Sequence, residues 1–228
     1  MGVNYNVYLL PSDRTFRPEA GTLRGLLRWL PTRLGVADRW YPDSASRWTS
    51  KHPPVDGDEI LKRLVSVVET GKGSGEASIE LPMRVSTALF GWNGEDEDPD
   101  DRLWADTLCL GVSAWPSPFI DWNGEDDPPS FRCPDCGARV DDEVHDAETG
   151  DEGGQEGLVK CVCGTTTPLQ QVEATGRVRF ARLWISLTGN KGWHREVEDD
   201  VEAFADRAFL EEIARLVGTP IEVFCEVC

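Results

Sequence analysis

Apolar positions change their spacing several times along the chain, and each change marks an element. Residues 3–10, VNYNVYLL, are rich in Val and Tyr and stop at Pro11, which predicts a strand. From Pro18 onward Leu23, Leu26, Leu27, Leu30 and Leu34 recur at helical spacing, and Pro31 within that run predicts a kink or two short helices. Residues 37–55, with three prolines and several serines, predict a long connection. Asp56, with Glu59 three residues on, gives a capping-box-like start to a helix whose stripe is Ile60, Leu61, Leu64, Val65 and Val68 and whose stop is Gly71. The glycine-rich GKGSG at 71–75 lacks the P-loop pattern and serves better as a link to a strand at 76–82, where Ala77, Ile79 and Leu81 alternate with polar residues. Further strands are predicted at 106–115 and 177–188. A helix at 199–217 presents Val201, Phe204, Ala205, Ala208, Ile213, Leu216 and Val217 on one face, and IEVFCEV (221–227) closes the chain as a strand. This order predicts an α+β fold: a mixed or antiparallel sheet with about three helices on it. The core takes residues 1–130 and 171–228, interrupted by a small β module at 131–170.

Composition permits such a core. The 228 residues are 39% hydrophobic and 28% charged, and no apolar run approaches the ~18–20 residues of a spanning helix. The opening MGVNYNVYLL has neither the basic stretch nor the cleavage site of a signal peptide, so the expectation is a cytoplasmic protein with no membrane association and reduced thiols. Net charge is −18, and nearly all of it sits in the middle. Residues 92–156 hold 20 acids and three bases, Arg102, Arg132 and Arg139. Such a distribution argues against a protein that mainly coats nucleic acid or anionic membrane. Within this acidic stretch FGWNGEDEDP (90–99) and IDWNGEDDPP (120–129) nearly repeat, each an Asn-Gly turn preceded by a Trp. Two similar exposed turns pinned by a Trp is the plainer reading. The sharper one is an acidic–aromatic docking surface made by Trp92, Glu95, Asp96, Trp122, Glu125 and Asp126. The alternating ligand positions of a Ca²⁺ loop are missing.

Seven cysteines occur, and four of them form Cys133-Pro-Asp-Cys136-Gly and Cys161-Val-Cys163-Gly. Each pair places two thiolates in one tight turn, and the glycine that follows lets the backbone amides fold toward sulfur. Two such pairs 24 residues apart can meet at one tetrahedral ion, the closed four-thiolate arrangement of a structural Zn²⁺. On these residues the segment of about 131–170 resembles a zinc ribbon, departing from it in the shortened second knuckle. The resemblance implies one structural metal per chain and carries no activity with it. Arg132, Arg139 and Lys160 flank the knuckles and are candidates to moderate the site's charge. The stretch 141–156 has eight acids and no evident apolar pattern, so it reads as a mobile acidic loop that could be shortened without loss of stability, with His145 exposed and not a ligand. Cys225 and Cys228 lie on the last strand and read as ordinary strand residues; a second metal site with Cys109 is the alternative.

Three functional classes remain. A zinc-containing accessory protein presenting its acidic surface to a basic protein partner, in the manner of an immunity protein, accounts best for the charge. A nucleic-acid protein could use residues 14–51, where eight bases interleave with Trp29, Trp40, Tyr41 and Trp48. That same segment also fits an Arg-decorated helix over a Trp-rich core. An enzyme would need a cleft around His52 or His194, because no nucleophile–base or His-Glu-x-x-His motif is present.

Overall fold

A computed structural model of the chain describes residues 5–42, 52–81, 107–121, 129–149, 157–188 and 206–227. In chain order its elements are β1 (Tyr5–Pro11), α1 (Ala20–Leu34), α2 (Gly57–Thr70), β2 (Ser74–Glu80), β3 (Thr107–Asp121), β4 (Phe131–Arg132), α3 (Asp141–Thr149), β5 (Leu158–Lys160), β6 (Thr166–Pro168), a 3-10 turn (Leu169–Gln171), β7 (Glu173–Ala174), β8 (Arg177–Thr188), α4 (Arg207–Val217) and β9 (Ile221–Val227). Five strands form an antiparallel sheet in the order β2-β3-β8-β1-β9. The expected α+β class therefore holds. Among the described residues no helix is long and apolar enough to cross a membrane.

Strand alternation decides which residues meet the helices. Val7 and Leu9, Ala77 and Ile79, Leu108 to Val112 at alternate positions, and Leu183, Ile185 and Leu187 all face one side. There they join the five leucines of α1, Ile60, Leu61 and Leu64 of α2, and Phe209, Ile213 and Val217 of α4 in one cluster. Asp56 caps α2 as its sequence predicts, accepting the Glu59 N–H at 2.9 Å, and Gly71 ends it at a φ of 64°. The opposite side of the sheet carries Leu10, Phe119, Ala181, Trp184 and Phe224 with Tyr8 packed on them.

Several expectations need correction. Of the two alternatives at Pro31, two short helices are excluded, because α1 runs through it as one helix. The proline forfeits a bond only in the last turn, which is closed by Gly35 N–H to Thr32 O (3.3 Å) and Val36 N–H to Pro31 O (3.0 Å), a Schellman pair. The described helix α4 begins at Arg207; Ala208 is exposed and Phe209 takes the buried position, because the true stripe is Phe209, Ile213, Val217. Val201, Phe204 and Ala205 lie outside the described residues. Strand β3 continues past 115 to Asp121, its register against β8 shifting between Val112 and Ser117. That irregularity lets Pro116 and Pro118 sit in a strand where the missing N–H is tolerated.

The extended halves of β3 and β8 carry a second cluster. Trp115, Val178 and Phe180 pack with Phe131, Val140, Val144, Ala147, Val159, Leu169, Val172, Cys133 and Cys161. Two short ladders, β4–β7 and β5–β6, complete this region. Residues 141–149, expected as loop, are helix α3. Val140, Val144 and Ala147 stand at helical spacing and are buried, an apolar stripe hidden among acids.

Candidate metal centre

Both cysteine pairs sit in turns that close short antiparallel pairings. The first turn follows β4: Cys133 N–H bonds Ala138 O at 2.8 Å and Gly137 N–H bonds Cys133 O at 2.9 Å, with Gly137 at a φ of 71°. The second joins β5 to β6, with Gly164 N–H on Cys161 O and Cys161 N–H on Thr165 O, both at 2.9 Å, and Gly164 at a φ of 90°. A side chain at either glycine would be strained, so the residue after each pair is dictated by the turn. The turns then aim amides at sulfur: Ala138 N–H at Cys136, Cys163 N–H at Cys161, Thr165 N–H at Cys163.

The four sulfurs converge. All lie within 4.8 Å of one another, Cys133 Sγ being 3.9 Å from Cys163 Sγ and Cys136 Sγ 3.5 Å from Cys161 Sγ. Those two separations bracket the ~3.8 Å edge of a tetrahedron with metal–sulfur bonds of ~2.3 Å. They are far beyond the ~2.05 Å of a disulfide, and the thiols are free. The single residue between Cys161 and Cys163 thus brings both sulfurs to the site, as the two-residue spacing does in the first pair. Cys133 and Cys161 are 2% and 5% exposed and belong to the second apolar cluster, whereas Cys136 and Cys163 are on the outside.

Electrostatics of the four thiols favour a cation. Thr165 pulls Cys163 down to about 6, through its hydroxyl first and its amide second, aided by Cys136 and Cys161. Its hydroxyl also lies 2.8 Å from Asp135 Oδ2, tying the two turns together; it can serve one acceptor at a time, so the amide is the constant contribution. At Cys161 the Cys163 amide works in the same direction, yet burial and the three neighbouring thiols outweigh it and push Cys161 up to about 12. A cation held among the four sulfurs would relieve the crowding that raises Cys161.

The two flanking arginines make definite contacts. Arg132 Nη1 donates to Gly137 O at 3.1 Å, bracing the first turn, and Arg139 pairs with Asp141, whose carboxylate also accepts the Phe131 N–H at 2.6 Å. Lys160 is exposed, as is His145 on α3, outside the cluster. Cys109 is buried in β3, with β8 and β1 between it and Cys225 on β9. His52 is exposed. Trp92, Glu95, Asp96, Trp122, Glu125, Asp126, His194 and Cys228 lie outside the described residues. The Thr165–Asp135 link had no signal in the sequence beyond its closeness to the cysteines. No family model, curated protein or solved structure matches this chain.

Proposed function

We propose that the chain is a zinc-stapled accessory protein whose acidic middle segment docks a basic protein partner. The observation that carries the metal half is the tetrahedral fit of four thiols with two of them sunk in an apolar cluster. Four sulfur ligands leave no open position for substrate or water, so the ion is structural and the module is of zinc-ribbon type. Its residues, about 131–170, fold as an insert upon the α+β core of 1–130 and 171–228. Metal analysis of protein purified without chelator should return one zinc per chain; none, or iron in its place, overturns this reading.

The docking half rests on charge. The local −17 of residues 92–156 gives attraction at a distance, and Trp92 and Trp122 supply apolar contact beside Glu95, Asp96, Glu125 and Asp126. Observations on the rival basic segment support this choice. Trp40 is fully buried with its N–H on Asp38 Oδ1, Tyr41 is buried, and Trp29 stacks on Phe209. Trp40 and Tyr41 are therefore not available to a nucleic-acid base, and Trp29 is half-buried against Phe209. Arg33 is spent internally on Asp206 (3.0 Å) and Glu212 (3.5 Å). Reversing Glu95, Asp96, Glu125 and Asp126 to Lys should strip basic proteins from the set captured by the wild-type chain at low salt, the effect shrinking as salt rises. An unchanged captured set removes the acidic-face reading.

A further inference from the structure

Where the register of β3 shifts against β8, the two extended strands open a cavity of about 430 Å³ between the helices of the core and the cysteine-bearing region. Among the described residues its two charged wall residues are both arginines, Arg17 just before α1 and Arg182 on β8, and no acid lines it. Among the described residues neither arginine has a carboxylate partner. Arg182 makes one hydrogen bond there, Nη1 to Ala114 O at 2.5 Å, and its Nε is shielded from solvent with no acceptor. Burial, and then the neighbouring Arg17 guanidinium, pull Arg182 below its ordinary value, yet a guanidinium stays protonated throughout the physiological range. The carbonyl end of α2 at Gly71 also borders the cavity and offsets about half a charge. That leaves roughly +1.5 unbalanced.

We propose that this cavity is a binding site for a small phosphate monoester, with Arg17 and Arg182 gripping the phosphate and the Ser113–Gln170 side of the cavity receiving the organic part. The charge left unbalanced matches the roughly −1.5 to −2 of a phosphate monoester at neutral pH, where a single carboxylate would leave the pair under-compensated. Two guanidiniums from separate elements suit an oxyanion with three free oxygens, Arg17 offering an edge and Arg182 the donors that its bond to Ala114 leaves. The volume exceeds what inorganic phosphate needs and falls in the range of small-molecule sites, and the apolar part of the walls includes three prolines, Val68, Trp115 and Leu158. Arginine placement on separate elements left no motif in the sequence. The arginines themselves lie outside both the acidic docking segment and the thiol cluster.

Calorimetry at fixed ionic strength tests it, using inorganic phosphate, phenyl phosphate and succinate as probes on the full chain. Phenyl phosphate should bind one per chain and more tightly than inorganic phosphate, and succinate should be weaker than both. Arg17→Gln, at an exposed position, should weaken phenyl phosphate by about tenfold or more. The same substitution should leave the melting temperature without ligand unchanged or higher, because it removes a like-charge neighbour, while abolishing the rise that phenyl phosphate gives the wild type. Arg182→Lys keeps the charge but loses the fork, and should weaken binding without unfolding. No saturable binding of either phosphate probe overturns the proposal. So does equal affinity in Arg17→Gln, or succinate binding as tightly as phenyl phosphate.

Discussion

At Gly111 a single methyl group is too much. Its Cα stands opposite that of Trp184 across β3 and β8, and a Cβ built there would lie 2.0 Å from the indole Cε2. Trp184 cannot yield: it is buried, edges on Phe119 at 5.7 Å, and donates its N–H to Glu76 Oε1 at 3.2 Å. Gly111→Ala should therefore cost about 2 kcal/mol or more in denaturant melts, and the same change on a Trp184→Leu background should cost much less. Equal costs in both backgrounds would mean the indole is not the obstacle. Glu148 on α3 makes a different residue-level prediction. Burial pushes its carboxyl up to about 7, with His145 partly opposing. A raised acid favours the protonated folded state, so its penalty is absent below the unfolded value near 4.5 and fully present above about 7. Glu148→Gln should thus stabilise at pH 8, on the order of 1 kcal/mol after solvent screening, with a gain that shrinks toward pH 5. A gain independent of pH would point to something other than titration.

Helix α3 marks where local pattern stops being readable. The elements anticipated from sequence were those with strong, unmixed signals: β8 at 177–188, α2 between Asp56 and Gly71, β9 at 221–227. The thiol cluster was legible too, since pair spacing and a trailing glycine are local facts. In 141–149 five acids mask a three-residue stripe of Val140, Val144 and Ala147, and composition outvotes periodicity when the stripe is that narrow. What makes the helix form lies elsewhere in the chain, in Trp115, Phe131 and Val178, whose apolar surface needs a cover. Strand order and the β3 irregularity are likewise set by distant partners. The expectation that 141–156 is a loop therefore fails for its described part, and with it the ground for calling that part dispensable. Val144→Ala should lower stability by roughly 1–3 kcal/mol, and replacing 141–149 by a Gly/Ser linker should lower the melting temperature by several degrees or more. An unchanged melt in the linker variant would show that the helix covers nothing of consequence.

On the scale of the molecule, β3 and β8 are shared property. Their paired segment 107–112 with 183–188 lies under the three core helices, and 117–121 with 177–181 underlies the cysteine-bearing region. The first apolar cluster draws on four separate strands and three helices, whereas the second has Cys133 and Cys161 among its own buried members. Loss of the proposed ion should therefore act unevenly. Without a cation the crowded thiols must take up protons or move apart, and two of them are part of the cluster they would disturb. Because ligation requires thiolates, affinity falls as pH falls, so mild acid or a chelator at neutral pH should both strip the ion. Hydrogen exchange is the measurement. After chelation, amides of 131–148 and 158–174 should lose protection, while those of α1, α2, β1 and β9 keep most of theirs, as a local opening separate from global unfolding. Restoring zinc should restore protection in the first set. Loss of protection everywhere at once would mean that the two clusters fold as a single cooperative unit and that the ion holds the whole sheet. Protection unchanged on both sides would remove the metal from the account of stability altogether.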